Sequence, residues 1–376
     1  MSKLTILMVP SDQAGCGQYR IIGPGRQLGN YPDLSVILHV GSPADADVDD
    51  CDLLVVQRMR LQDRGEEAVD LNQALVQYAL DQNKPVIYDT DDYDVALPKT
   101  HGLYGYYQKI KAVEKVDWML NNASAVTTTT DYIAGKLQDR TNTPVHVVPN
   151  CINYNEPRWN YPKPESNRIR IGWAGGASHL EDLKLLSGVV EALFNIYGDK
   201  LEFIIGGYDT RGTYSYYDEL GKIQTRASEG HETIWIHMVD SLFGSISKSA
   251  KRVLKTLPFD SYGWHYSQMD IGLVPLIDTE FNRCKSPLKL LEFGAYGVPV
   301  VASNVEPYAQ VLGSGLVTTQ TPGKTLNSWV SAVRRLIDDP VERAVQGHKL
   351  NALVRARFDA TKEVENTNRL YRSLIK

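Results

Sequence analysis

Cysteine is scarce in this chain: Cys16, Cys51, Cys151 and Cys284 are the four among 376 residues. They are widely spaced and form no CxxC pair. Neither a zinc knuckle nor a disulfide framework is suggested, and reduced thiols in a cytosolic compartment are expected. Long apolar runs are missing as well. No stretch approaches the ~20 apolar residues that cross a bilayer, so no transmembrane segment is expected. The opening Leu4–Val9 run is too short for a secretory signal and lacks a cleavage-site pattern. Neither sign of charge dominates: 40 Lys and Arg against 45 Asp and Glu leave a net charge of -5. That balance argues against a generally cationic surface for coating nucleic acid, while leaving room for a local basic cleft. No internal repeat or low-complexity tract is visible.

What is present is a soluble globular composition, 43% hydrophobic and 23% charged, in a length that suits two domains. The expected strands are Leu4–Val9, Ser35–His39, Leu53–Gln57, Pro85–Tyr88, Ala125–Thr128 and His146–Val148. A second series follows: Arg168–Trp173, Leu201–Ile205, Thr233–Met238, Ile271–Pro275, Val298–Ala302 and Leu316–Thr319. Continuous rather than alternating apolar strands fit parallel sheets covered on both faces. Helical patterns over Ala68–Asp81, Lys109–Asn122 and Leu183–Tyr197 make the arrangement βαβ. Residues 150–167, rich in Asn, Pro and Tyr, read as a linker. The expected fold is α/β: two Rossmann-like domains, 1–155 and 156–355, facing an interdomain cleft, with ligands at the carboxyl ends of the strands.

The most telling segment runs from Asn282 to Val301. Ser286 is a good N-cap, and Pro287 suits the first helical position before Leu288. Gly297 suits the C′ position, and Pro299 cannot continue the helix. The helix is apolar on most sides, yet Lys285 precedes it and Lys289 sits in its first turn. Those cations lie at the end where the helix dipole is already positive, a conflict that a bound phosphate would resolve. Glu292, one turn further in, would reach hydroxyls beside that phosphate.

Other segments carry weaker signals. The first strand runs into a Gly15–Cys16–Gly17 loop, with Arg20 beyond it as a phosphate candidate. The loop lacks the third glycine of the dinucleotide fingerprint, so it reads equally as a tight turn. A second strand feeds Gly175–Gly176, with Ser178 or His179 near the next helix start; such a loop can cradle a diphosphate. Asp89, Asp91, Asp92 and Asp94 follow a strand of the first domain. Carboxylates this close need solvation, caps or a cation, and Asp91 and Asp92 are candidates for base or acceptor-orienting chemistry. A helix cap is the plainer alternative. His101 with Tyr104, Tyr106 and Tyr107 supplies polar-tipped rings suited to sugar faces. Asp278, Glu280 and Asn282 are loop candidates for sugar hydroxyls. Lys248, Lys251, Arg252 and Lys255 recur at helical spacing and read as a solvated basic face.

With these residues in view, Asp270–Ser303 resembles the signature region of retaining GT-B glycosyltransferases of the glycosyltransferase family four type, whose recurring form is DIGLxPL…KSPLKxLEyxAxGxPVVAS. Val147–Asn150 is similar to that family's exit into the interdomain linker. The resemblance implies a nucleotide-diphosphate sugar as donor, held mostly by the second domain, and no required cofactor; a divalent cation is not expected. It implies that Glu292 binds the ribose and that Lys285 or Lys289 neutralises the diphosphate. Lys289 then joins Asp91, Asp92 and His101 as a catalytic candidate. Gly15, Gly17, Arg20, Gly175, Gly176, His179, Arg283, Lys285, Ser286, Pro287, Leu288, Lys289 and Glu292 are the donor-binding candidates. It also implies a final helix near Asp359–Ile375, within residues 356–376, that returns to the first domain. The family's paired glutamates are half present, since the earlier position is Cys284. The acceptor is a saccharide, a lipid-linked glycan, a protein or a hydroxymethylated base of phage DNA. A nucleotide-sugar epimerase and a non-catalytic nucleotide-sugar-binding module are the readings of other classes. A cytoplasmic location, in a bacterial or phage-infected cell, is expected.

Overall fold

The computed structural model describes residues 3–41, 43–64, 67–176, 179–208, 213–217, 223–227, 234–312, 318–319 and 325–375. The chain divides into two compact units. The first comprises Met1–Asn153, Thr279–Leu288 and Arg357–Lys376; the second comprises Tyr154–Asp278 and Lys289–Ala356.

The first unit is built on six strands: β1 (Leu4–Val9), β2 (Leu34–Leu38), β3 (Leu53–Gln57), β4 (Val86–Asp89), β5 (Ala125–Thr128) and β6 (Val145–Val147). They form one sheet in the order β2-β1-β3-β4-β5-β6, parallel throughout. Every residue of β3, β4 and β5 is buried, which is why these strands read as unbroken apolar runs. The Ala360–Leu374 helix packs on this unit. Asp359 caps it by accepting from Thr361 N, and Tyr371 is buried among Ile6, Met8 and Ile21. Ile152 N donates to Phe358 O at 2.8 Å and fixes where that helix begins.

The second unit repeats the plan with β7 (Ile169–Ala174), β8 (Leu201–Tyr208), β9 (Lys251–Lys255), β10 (Ile271–Val274), β11 (Val300–Ser303) and β12 (Thr318–Thr319). Its order is β9-β8-β7-β10-β11-β12, again parallel. In each unit the chain reverses its direction of growth beside the first strand, at β1/β3 and at β7/β10. Such reversal points leave a crevice at the carboxyl ends of the strands.

Three expectations are corrected. The apolar run expected as strand Thr233–Met238 lies in a helix, Ile234–Phe243, with Thr233 outside the described residues. Val239 and Phe243, four apart, both enter the core, a helical spacing that a short apolar run does not reveal by itself. Lys251, Arg252 and Lys255 lie on the edge strand β9 rather than on a helix, where cations discourage pairing with another chain. The expected Ala68–Asp81 helix starts at Leu71, because Asp70 accepts from Asn72 N and caps it there. Of Leu316–Thr319, the strand is Thr318–Thr319, and Leu316 and Val317 lie outside the described residues.

Candidate functional site

The second unit gathers its polar groups at the end of β7. The Leu288–Ala295 helix stops at Gly297, whose φ of +64° is costly for a residue with a side chain. At the helix start, the Lys289 ammonium lies 5.1 Å from the centre of the Trp173 ring, within cation–π range. Gly175 follows β7 immediately. A Cβ there would stand 2.5 Å from Lys289 Nζ and 2.7 Å from Trp173 Cζ2, so a side chain at this position would have to push the ammonium or the ring aside. His179 meets Trp173 edge-on, with centroids 6.1 Å apart. Its Nδ1 lies 2.8 Å from Asp182, whose other oxygen accepts from Ile277 N at 2.9 Å. Gly175, His179 and Lys289 thus converge on one indole. Gly176 is exposed beside them, and Ser178 lies outside the described residues. Trp173 was not nominated from sequence; an aromatic closing a strand looks like ordinary core.

Glu292 is buried, and its two oxygens accept from the hydroxyls of Tyr262 and Tyr266. A carboxylate has about four acceptor positions, and the two tyrosines hold one oxygen each and fix its orientation.

In the first unit, Gly15–Gly17 opens a helix rather than a loop, and a carboxylate of the chain itself meets it: Asp12 Oδ1 accepts from Ala14 N at 2.8 Å and Gly17 N at 3.1 Å. The Gly17 amide is therefore committed to Asp12. Arg20 is likewise taken up inside the protein. It donates to Asp89 at 2.6 and 3.1 Å, to Asn150 Oδ1 at 3.1 Å and to the Val148 carbonyl. Thr127 adds a hydrogen bond to Asp89 at 2.7 Å. Asn150 in turn donates to Ser286 Oγ at 2.9 Å. Pro287 is buried, Leu288 half-buried, and Arg283 exposed at the end of a short Glu280–Arg283 helix. Cys284 is fully buried in the core of this unit, and burial pushes its thiol up to about 12.

Asp91 and Asp92 share Arg58, at 2.6 and 2.8 Å, and Lys285 Nζ lies 3.4 Å from Asp92. Arg58 adopts a left-handed backbone (φ +48°) with its N–H donating to Asp89 O at 2.8 Å. Sequence reasoning missed it. Burial works against ionisation of Asp92, but Arg58 and Lys285 outweigh it and hold the carboxyl below its ordinary value. Asp94 goes the other way. Burial, then the Asp92 charge, push it up to about 7 against the pull of Arg58 and Lys285, and Asp91 adds to the push. His101 stacks at a tilt on Phe281, 5.8 Å between centroids; burial, then Lys285, lower its pKa.

The Asp94 shift carries a stability prediction. Its native carboxyl keeps a proton between the ordinary 3.8 and about 7, where the unfolded chain has released one. The native state then binds more protons, so this group's contribution to stability falls as pH rises through that window. Asp94→Asn is expected to raise Tm at pH 8 relative to wild type and to change it less at pH 5. Equal shifts in calorimetric scans at both pH values would contradict the assignment.

Neither a protein-family model nor a curated protein sequence matches the chain. Solved structures do. A sucrose-phosphate synthase from Thermosynechococcus elongatus superposes with a TM-score of 0.65 at 13% identity, over 100% of this chain and 99% of its own. A glycosyltransferase from Rickettsia africae gives 0.66 at 11% identity, over 100% of both chains. An Anabaena protein, HepE, solved in complex with UDP, gives 0.60 at 14% identity, over 99% of this chain and 100% of its own. The chain therefore has the GT-B fold, with parallel α/β sheets. Among the described residues, no helix is long and apolar enough to cross a membrane.

Proposed function

We propose that the chain is a retaining glycosyltransferase that moves a sugar from a nucleotide-diphosphate sugar to an acceptor hydroxyl. The observation that carries this reading is the convergence of Lys289, Gly175 and His179 on Trp173 at the end of β7. A glycine whose bare backbone lets the cation and the indole approach closely, a cation and a helix start in one place suit a diphosphate. The structural likeness to HepE, solved with UDP, supports a UDP-sugar as the first donor to test.

In the reaction, the bond from the sugar's anomeric carbon to the diphosphate oxygen breaks, and a bond to the acceptor oxygen forms on the same face. The acceptor proton passes to the departing diphosphate. Negative charge grows on that group, and Lys289 with the Leu288–Ala295 helix start is placed to stabilise it. Glu292, oriented by Tyr262 and Tyr266, receives ribose hydroxyls. Asp91, Asp92 and His101 remain the acceptor-side candidates.

Release of nucleoside diphosphate from UDP-, GDP- and dTDP-sugars, with and without acceptor extract, tests the reading. Acceptor-dependent release is expected. Conversion of the donor sugar without any acceptor would indicate an epimerase, and no turnover of any donor would sink the proposal. Activity is expected to survive EDTA, because Arg58 and Lys285 already balance Asp91 and Asp92. Loss of activity that Mn²⁺ restores would contradict that expectation.

A further inference from the structure

A cavity of about 350 Å³ opens in the first unit, lined in part by Asp94 two residues beyond the Arg58-bound Asp92. Its size is at the lower end for ligand pockets. The Asp94 carboxyl lines it and, unlike Asp91 and Asp92, accepts no hydrogen bond among the described residues. Tyr104 and Tyr107 line it as half-buried rings, and burial raises the Tyr107 pKa, keeping that phenol a hydrogen-bond donor. Gln108 adds an amide able to donate and accept. Leu97 and Ala112, both buried, supply an apolar wall. Aromatic and aliphatic surface for C–H faces, with a few convergent hydroxyl-binding groups, is the chemistry a sugar ring requires.

Charge narrows the occupant. The charged lining residues are Asp94, Glu280 and Lys99, with Glu280 paired to Lys136 at 2.7 Å. No arginine stands among them, so a phosphate would lack the bidentate partner it usually finds and would face the Asp94 carboxyl.

We propose that this cavity binds one neutral pyranose unit of the acceptor, with Asp94 and Tyr107 anchoring its hydroxyls. The inference rests on the glycosyltransferase reading for the word acceptor; the sugar site itself can be tested without turnover. Methyl α-glucoside, methyl α-mannoside and methyl α-galactoside are titrated into the full chain at pH 8, followed by saturation-transfer NMR and calorimetry. UDP is titrated into the same samples. At least one glycoside is expected to saturate the wild type. Asp94→Ala is expected to weaken it about tenfold or more, the scale of a lost hydrogen bond to a charged group. Ala96→Trp, which fills the cavity from its lining, is expected to abolish it. UDP affinity is expected to be unchanged in both variants, and a wild-type circular dichroism spectrum and melting transition show that their first unit folds.

If no glycoside binds while UDP does, the cavity inference fails and the donor reading stands. If a glycoside binds but UDP does not, the donor reading fails and the sugar site stands. Unchanged glycoside affinity in both variants would put the sugar elsewhere and overturn the proposal. Displacement of the glycoside by a hydroxymethylcytosine oligonucleotide would overturn it in favour of a DNA base.

Discussion

Replacing Lys289 by alanine is expected to lower kcat/KM for glycosyl transfer about 100- to 1,000-fold, the usual scale for removing one donor that meets developing oxyanion charge. The ammonium lies against Gly175 and over Trp173, at the start of a helix whose dipole acts in the same sense. Its half-buried position keeps solvent from screening it fully. Gly175→Ala tests the same geometry from the other side, since its methyl group would have to displace Lys289 Nζ or the Trp173 ring. Both variants are expected to keep the fold, because neither removes a core side chain. Steady-state kinetics with a saturating acceptor, beside circular dichroism, reads the effect. A loss confined to Tm, with kcat/KM preserved in the folded enzyme, would show that Lys289 is structural.

Arg20→Met is expected to destabilise the first unit by about 3–5 kcal/mol, because it leaves the Asp89 carboxylate buried without its partner. Arg20 and Asp89 side chains are 1% and 4% exposed, so water cannot take over. For a unit of this size that is a fall in Tm of roughly 6–20 °C. The guanidinium also ties the end of β4 to Val148 and Asn150 beyond β6, so its loss loosens two strand ends at once. Scanning calorimetry gives the stability, and UDP titration below the transition gives the affinity. The arrangement predicts a large first effect and an unchanged second. A stable variant with lost UDP affinity would return Arg20 to the phosphate.

Much of the fold is legible in the sequence because buried parallel strands are unbroken apolar runs. Leu4–Val9, Leu53–Gln57 and Ala125–Thr128 stand in the structure with the bounds their apolar residues give. The Ile234–Phe243 helix was not legible, since a short apolar run carries no decisive period. At the site, the conflict between Lys289 and the helix dipole is a local signal, visible in adjacent residues. Arg58 gives no such signal. Its partners lie 33 and 34 residues away, and only the register of β3 beside β4 brings them together. The same holds for Asp94, whose raised pKa comes from burial and from neighbours set by the fold. The commitment of Gly17 to Asp12 was closer at hand, five residues back, but a glycine turn reads alike whether its amides face a phosphate or a nearby carboxylate.

The central claim is that the end of β7 holds a nucleoside diphosphate through Lys289. Calorimetric titration of UDP, GDP and dTDP into wild type and Lys289→Ala, at low ionic strength, tests it most directly. The account predicts that one of the three binds the wild type and that Lys289→Ala binds it at least about tenfold more weakly. Equal affinity in the two proteins, or no binding of any of the three to the wild type, would contradict it.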